Sequence, residues 1–465
     1  MVTDRLVAHC EAAAGDRPAI SEHVLDWFAV TIGGAAHADS SPAVLDGIDR
    51  IAGPTPDPET DAAATVLPSG ERRTPADAAL ANGALAHSLD FDDTHLPSSL
   101  HPGAPTIAAA LAAAEGAGAS ADRFLAGVAA GYDVACTVGE AIGPDSHYDR
   151  GFHVTATCGT FGAVAAAGVV RDLDADALRD AFGIAGSQAA GSLQFLSNGA
   201  WNKRLHPGLA ARRGIEATDL AAAGVVGAAD PLDGEYGFLA GYSDDPNPAA
   251  FDRLDERDAV AETGRKPYPC CRYLHPAIDA LREIAPAVDP AAVDSVRIAI
   301  PSAGVRLTGD PIESKRRPES FVDCQFSAPF VAALVLTEGS AGAEPFLRAV
   351  GRLDGSPRWD DPALRRLMDA TSVTTDEEIE GRFPDEWGAE VRVTAGGETH
   401  ERSVRVPLGE PAKPMSDAES RAKVTGLLAD TEIDPERLTD AVASLTDGRA
   451  GEGSLASLVD AATVS

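Results

Sequence analysis

Helices built from alanine and glycine constrain this chain more than any other feature. The segments 104–116, 121–141, 159–171, 175–189 and 208–223 read as helices dominated by small residues, with Gly and Pro punctuating their ends. Helices with so little side-chain volume gain from burial only where backbones come close together. They belong to a multi-helix core, and the pattern is mostly helical to about residue 262. A short β signal over 63–73 precedes a helix expected at 75–89. The texture changes near Gly264. Residues 293–300 alternate like a strand, and 390–394 and 401–406 do so around Ala395-Gly396-Gly397-Glu398, a hairpin signal. Helical segments 324–337 and 345–351 lie between them. After Pro411 and Pro414 helices are expected at 417–429, 435–446 and 454–462. The reading is mainly α, with a large all-helical domain over 1–262, a smaller α+β domain over 263–412 and helices over 413–465.

At 465 residues and 44% apolar content the chain has ample material for a large core. Its net charge is 38 − 72 = −34. Such a surface argues against nucleic acid and against anionic membranes, which both call for a basic patch. Of the 38 basic residues only Lys203, Lys266, Lys315, Lys413 and Lys423 are lysines. Acidic, lysine-poor, alanine-rich composition points to halophilic adaptation, with loss of fold expected in low salt where self-repulsion is unscreened. Six cysteines without a C-x-x-C pair give no disulfide scaffold and no thiolate metal site. The N-terminal residues carry no signal-peptide pattern, and no stretch reaches the ~18 apolar residues of a membrane span. A cytoplasmic, reduced protein is expected.

Four segments carry candidate chemistry. The first runs from Leu89 through Asp90-Phe91-Asp92-Asp93-Thr94-His95 to His101-Pro102-Gly103. Its carboxylates and histidines suit acid–base work, a divalent metal, or simply an acidic helix end and turn. The second is Tyr148-Asp149-Arg150-Gly151-Phe152-His153-Val154-Thr155, where a lone histidine precedes a hydroxyl-rich helix start that could hold an anion. A packed or capping histidine would look the same. In the third, Asn202-Lys203-Arg204-Leu205-His206-Pro207-Gly208, Pro207 is expected as the first helical residue. Lys203, Arg204 and His206 would then cluster at a helix N-terminus and favour an anion, or Arg204 would serve an internal salt bridge. The fourth is Lys266-Pro267-Tyr268-Pro269-Cys270-Cys271, whose vicinal cysteines suit packing better than a strained disulfide. Seven of eleven histidines fall between His87 and His275. The pattern fits an enzyme acting on a di- or tricarboxylate by proton transfer, with cations holding carboxylates and a histidine moving a proton beside one.

Asn82 to His95, His101-Pro102-Gly103, Gly151-Phe152-His153 and Asn202-Lys203-Arg204-Leu205-His206-Pro207-Gly208, taken together and in order, resemble the MmgE/PrpD family of 2-methylcitrate dehydratases and cis-aconitate decarboxylases. The resemblance implies an all-helical domain, an α+β lid and C-terminal helices returning to the helical domain. It implies a homodimer, and chemistry without metal or organic cofactor. Catalytic roles are implied for Asp90, Thr94, His101, His153, Lys203 and Lys266, and substrate-binding roles are expected for Arg204, His206 and Phe326. Phe326 departs from the pattern, since the decarboxylases carry a tyrosine there, and the loss of a phenol removes a donor or acid. In this reading the lysines bind carboxylates, His101 and His153 exchange a proton, Asp90 fixes a tautomer and Thr94 orients the substrate. The leading expectation is a hydro-lyase on a 2-methylcitrate-like acid in propionate catabolism. Decarboxylation of cis-aconitate, epimerisation of a dicarboxylate and a non-catalytic carboxylate-binding role remain alternatives.

Overall fold

The computed structural model describes residues 1–53, 56–57, 62–384, 386–446 and 454–464. They form two compact units, 1–264 with 431–465, and 265–430. The helix Asp417–Leu427, expected with the C-terminal segment, groups with the second unit, where its Gly426 lies against Ala343. The helices Pro435–Thr446 and Ser454–Ala461 belong to the first unit, where the former packs on Ile20–His37.

The first unit is helical apart from a hairpin of β1 (Ala64–Val66) and β2 (Glu71–Arg73). Its centre is four helices, Pro75–His87, Gly103–Ala117, Ala121–Ala141 and Val154–Val170, crossed by Asn202–Ala222. Every residue of Val154–Val170 is buried. The small residues explain how. Where Ala121–Ala141 crosses Val154–Val170, a β-carbon on Gly162 would stand 2.6 Å from Ala135 Cβ and 2.7 Å from the Gly131 carbonyl. Where Pro75–His87 crosses Asn202–Ala222, one on Gly208 would stand 2.2 Å from the Leu80 carbonyl. Packing here is backbone on backbone, as the composition required.

The second crossing corrects the expected helix start. The helix begins at Asn202, and Pro207 lies inside it. A proline there forfeits one intrahelical hydrogen bond, to the carbonyl of Lys203. Pro207-Gly208 marks a close crossing and not a helix cap, which sequence cannot distinguish.

The second unit holds a four-stranded sheet in the order β4-β3-β5-β6, with β3 Val293–Ala299, β4 Thr371–Thr374, β5 Ala389–Ala395 and β6 Glu398–Val404. The β5–β6 hairpin turns at Gly396-Gly397, as expected. The strand β4, parallel to β3, carries too short a pattern to be read from sequence. The expected helix 324–337 is two, Phe321–Gln325 and Ala328–Glu338, because Ser327 caps the second and Pro329 enters its first turn. Among the described residues no single helix is long and apolar enough to cross a membrane.

Candidate functional site

The first unit gathers a polar cluster under the end of helix Pro75–His87. The chain leaves that helix through Asp90, whose φ of 51° lies in the left-handed region that aspartate tolerates better than most residues. This turn points Asp90 Oδ1 at Lys203 Nζ, 2.8 Å away. Lys203 stands in the first turn of Asn202–Ala222, so the pair ties two helix ends together.

Thr94 is pinned next. Its N–H donates to the Gly264 carbonyl at 2.8 Å, and its carbonyl accepts from Gly264 N–H at 2.9 Å. His95 and Leu100 pair likewise, closing a loop with Ser99 at φ 53°. The loop delivers His101. Its Nδ1 lies 2.7 Å from the Asp93 carbonyl. A carbonyl only accepts, so Nδ1 carries the proton and the neutral ring has its lone pair on Nε2. Thr94 Oγ1 is 3.3 Å from the same nitrogen. Asp93 itself is buried, taking Tyr132 Oη at 2.6 Å, Gly103 N–H at 3.1 Å and His23 Nδ1 at 3.2 Å. Burial opposes its ionisation, but these donors hold its carboxyl below the usual range.

His87 completes the cluster, and motif reading missed it. It ends its helix facing Asp92, Nδ1 to Oδ2 2.7 Å, with its ring 4.7 Å from His101 and 6.3 Å from His153. The available signal was an acidic residue five positions beyond a histidine at a helix end, which is weak by itself. His87, Asp92 and His101 have ligating atoms within 4.8 Å of one another. Both Nδ1 atoms face oxygens as hydrogen-bond donors, which fixes the orientation of the two imidazoles and directs the lone pair of each neutral ring to Nε2.

His153 precedes Val154–Val170 in extended conformation, its backbone N–H held by the Gly191 carbonyl at 3.0 Å. Its Nδ1 meets His206 Nδ1 at 2.9 Å. Burial, then the neighbouring His206, Lys203, His87 and His101, hold His153 well below the usual imidazole range. Burial, then His87, Arg213 and Lys203, hold His206 at about 4. Both rings are therefore neutral near pH 7. Tyr148 is pushed upward by burial and then by Asp90, so it is a neutral phenol beside that carboxylate.

The structure thus joins Asp90, Thr94, His101, His153, Lys203 and His206 in one unit. Arg204, expected to bind substrate, has internal partners. It is buried and its guanidinium turns to Asp39 and to Ser40 Oγ (2.8 Å), an internal ion pair. Lys266 and Phe326 lie in the second unit, Lys266 buried and Phe326 half-buried at the end of Phe321–Gln325. Cys270 and Cys271 are buried free thiols, consistent with packing.

Residues 15–250 match the MmgE/PrpD N-terminal domain and 268–447 the MmgE/PrpD C-terminal domain. A cis-aconitate decarboxylase-like protein oryM of Aspergillus oryzae is 28% identical over 82% of this chain and 81% of its own length. The cis-aconitate decarboxylase of Mus musculus is 28% identical over 76% and 71%, and that of Aspergillus terreus 25% identical over 69% and 68%.

Proposed function

The chain belongs to the MmgE/PrpD family, and we propose that within it this protein is a lyase that moves a proton beside a carboxylate of a di- or tricarboxylic acid. The observation that carries the reading is the meeting of one ammonium, Lys203, with four buried imidazoles, His87, His101, His153 and His206. An anion entering there exchanges its hydration for the Lys203 ammonium. Imidazoles beside it, of which His153 and His206 are held neutral, can take or give a proton, an arrangement worth about 10²–10⁴-fold in rate.

The first reaction to expect is decarboxylation of cis-aconitate, which the names of the relatives favour. Carbon dioxide leaves, the bonding pair stays on carbon, and a histidine N–H delivers a proton there. Lys203 balances the charge that develops on the remaining acid, with Asp90 as its resting partner. A second reading, dehydration of 2-methylcitrate, is kept because Phe326 offers no phenolic acid at the position where the family resemblance implies a tyrosine in decarboxylases.

The test is to mix the protein in molar KCl with each acid, follow alkene absorbance in the ultraviolet and identify products by NMR. Itaconate from cis-aconitate supports the first reading. A new conjugated alkene from 2-methylcitrate supports the second. Silence with both, alongside a ligand-induced rise in melting temperature, would favour a carboxylate-binding role and reject both of these reactions.

A further inference from the structure

Among the described residues the imidazoles of His153 and His206 each make one hydrogen bond, and it is to the other: Nδ1 to Nδ1 at 2.9 Å. Two lone pairs at that distance repel and two protons collide, so one proton stands between them. Neither ring has a carboxylate partner, unlike His87 on Asp92. The pair is walled by Phe195, edge-on to both rings at 6.0 and 5.7 Å. The charged and titratable groups facing it are His87, His101, Lys203 and Arg213.

Each neutral ring carries one proton, which leaves two arrangements. In one, His153 Nδ1–H donates to His206, and His153 Nε2 is a bare base. In the other, His206 Nδ1–H donates, and His153 Nε2 is protonated. We infer that His206 is a positioning residue acting through His153, setting its tautomer and accepting the proton that reaches the pair. The inference deepens the lyase reading above and rests on it for its chemistry. It also replaces the substrate contact expected of His206 from its motif.

The step balances. His153 Nε2 takes a proton from a substrate carbon while the C–H electron pair stays with the substrate. The Nδ1 proton of His153 passes to His206 Nδ1. His153 ends neutral with its proton on Nε2, and His206 ends as an imidazolium protonated on both nitrogens. Run backward, the same transfers deliver a proton to carbon after carbon dioxide has left, but only once the pair, neutral at rest, has taken up a proton from solvent. The positive charge resides on the ring that does not touch substrate.

The test uses the full chain, labelled with [15N]histidine, in molar KCl at pH 7. We expect one ring protonated at Nδ1 whose signal is lost or shifted in His206→Gln and in His153→Gln. Both rings protonated only at Nε2 would overturn the pair. In kinetics, glutamine at 206 can still hydrogen-bond His153 Nδ1 but is not basic. His206→Gln and His206→Phe should both lower kcat about 10- to 100-fold with KM little changed. The acid limb of their pH profiles should move to higher pH. Wild-type kcat and pH profile in His206→Gln would leave only a holding role, and a raised KM at unchanged kcat would restore a substrate contact; either overturns the inference. If the wild-type protein turns over no acid, the lyase reading fails, while the nitrogen spectra still decide the shared proton.

Discussion

The two ends of the segment from Thr94 to His101 are built on opposite electrostatic plans. At the His101 end, tilted imidazoles lie near one another, His87 4.7 Å from His101 and 6.3 Å from His153, and two of them, His153 and His206, are held neutral. At the His95 end, a full positive charge is buried against two partly exposed carboxylates. The Arg257 guanidinium is inaccessible to solvent and reaches Glu140 at 2.6 Å, Glu262 at 2.9 Å and His95 Nε2 at 3.0 Å. Because arginine only donates, His95 accepts on Nε2 and donates from Nδ1 to Ser98 Oγ at 2.7 Å. His95, Glu140 and Glu262 would suit a cation, and the guanidinium takes that place. Permanent charges paired at short range hold a loop still. Neutral rings whose charge depends on a single proton can exchange one. A short stretch of chain thus has an anchor at one end and a reactive face at the other.

Lys203→Ala should give the largest effect, a loss of roughly 10²-fold or more in kcat/KM if the ammonium stabilises developing charge. Its circular dichroism should match wild type, because Lys203 is partly exposed. Wild-type turnover would remove it from the scheme. Arg257→Met should do the reverse of Lys203→Ala at the anchor. It removes the partner of Glu140 and Glu262, which both keep some solvent access, and the expected cost in denaturant titration is about 1–3 kcal/mol. A variant as stable as wild type would mean that the anchor is not one.

Acid should separate the imidazoles from the anchor. His147 and His206 are held at about 4, chiefly by burial, against an ordinary value near 6.5. Folded pKa values below unfolded ones mean that the unfolded chain binds more protons in that window. Stability is full above about pH 6.5 and falls as pH drops toward 4, by about 1.4 kcal/mol per pH unit for each such histidine. His147 donates to the Tyr242 carbonyl and accepts from Thr157, outside the reactive face. His147→Phe should therefore reduce that slope by about one proton, read from denaturant melts in molar KCl at several pH values. An unchanged slope would contradict burial as the cause. Ser98→Ala is the mildest test. It leaves the His95 Nδ1 proton without its acceptor and should cost about 1–2 kcal/mol, with no change in KM.

Much of the site was legible because it sits in short segments. Asp90, Thr94 and His101 share one stretch of chain, and His153 and Lys203 each stand beside a helix start. What escaped was partnership. His87 looked like one more helical residue until the turn at Asp90 brought Asp92 beneath it. Arg204 was indistinguishable from Lys203 as an anion ligand until Asp39, 165 positions away, claimed it. The close crossing at Gly83 and Gly208 placed Pro207 inside a helix, against its local preference.

The sequence by itself determined the small-residue helical core, since alanine and glycine at such density can be buried only by close backbone contact. It also determined which residues could do proton chemistry, because those identities are local and few. Only the tertiary structure decided which of them meet. Hydrogen bonds and ion pairs act within about 3 Å, and that proximity comes from helix crossings far apart in the chain. For the same reason only the fold could pair His153 with His206, 53 positions on, and leave one proton between them.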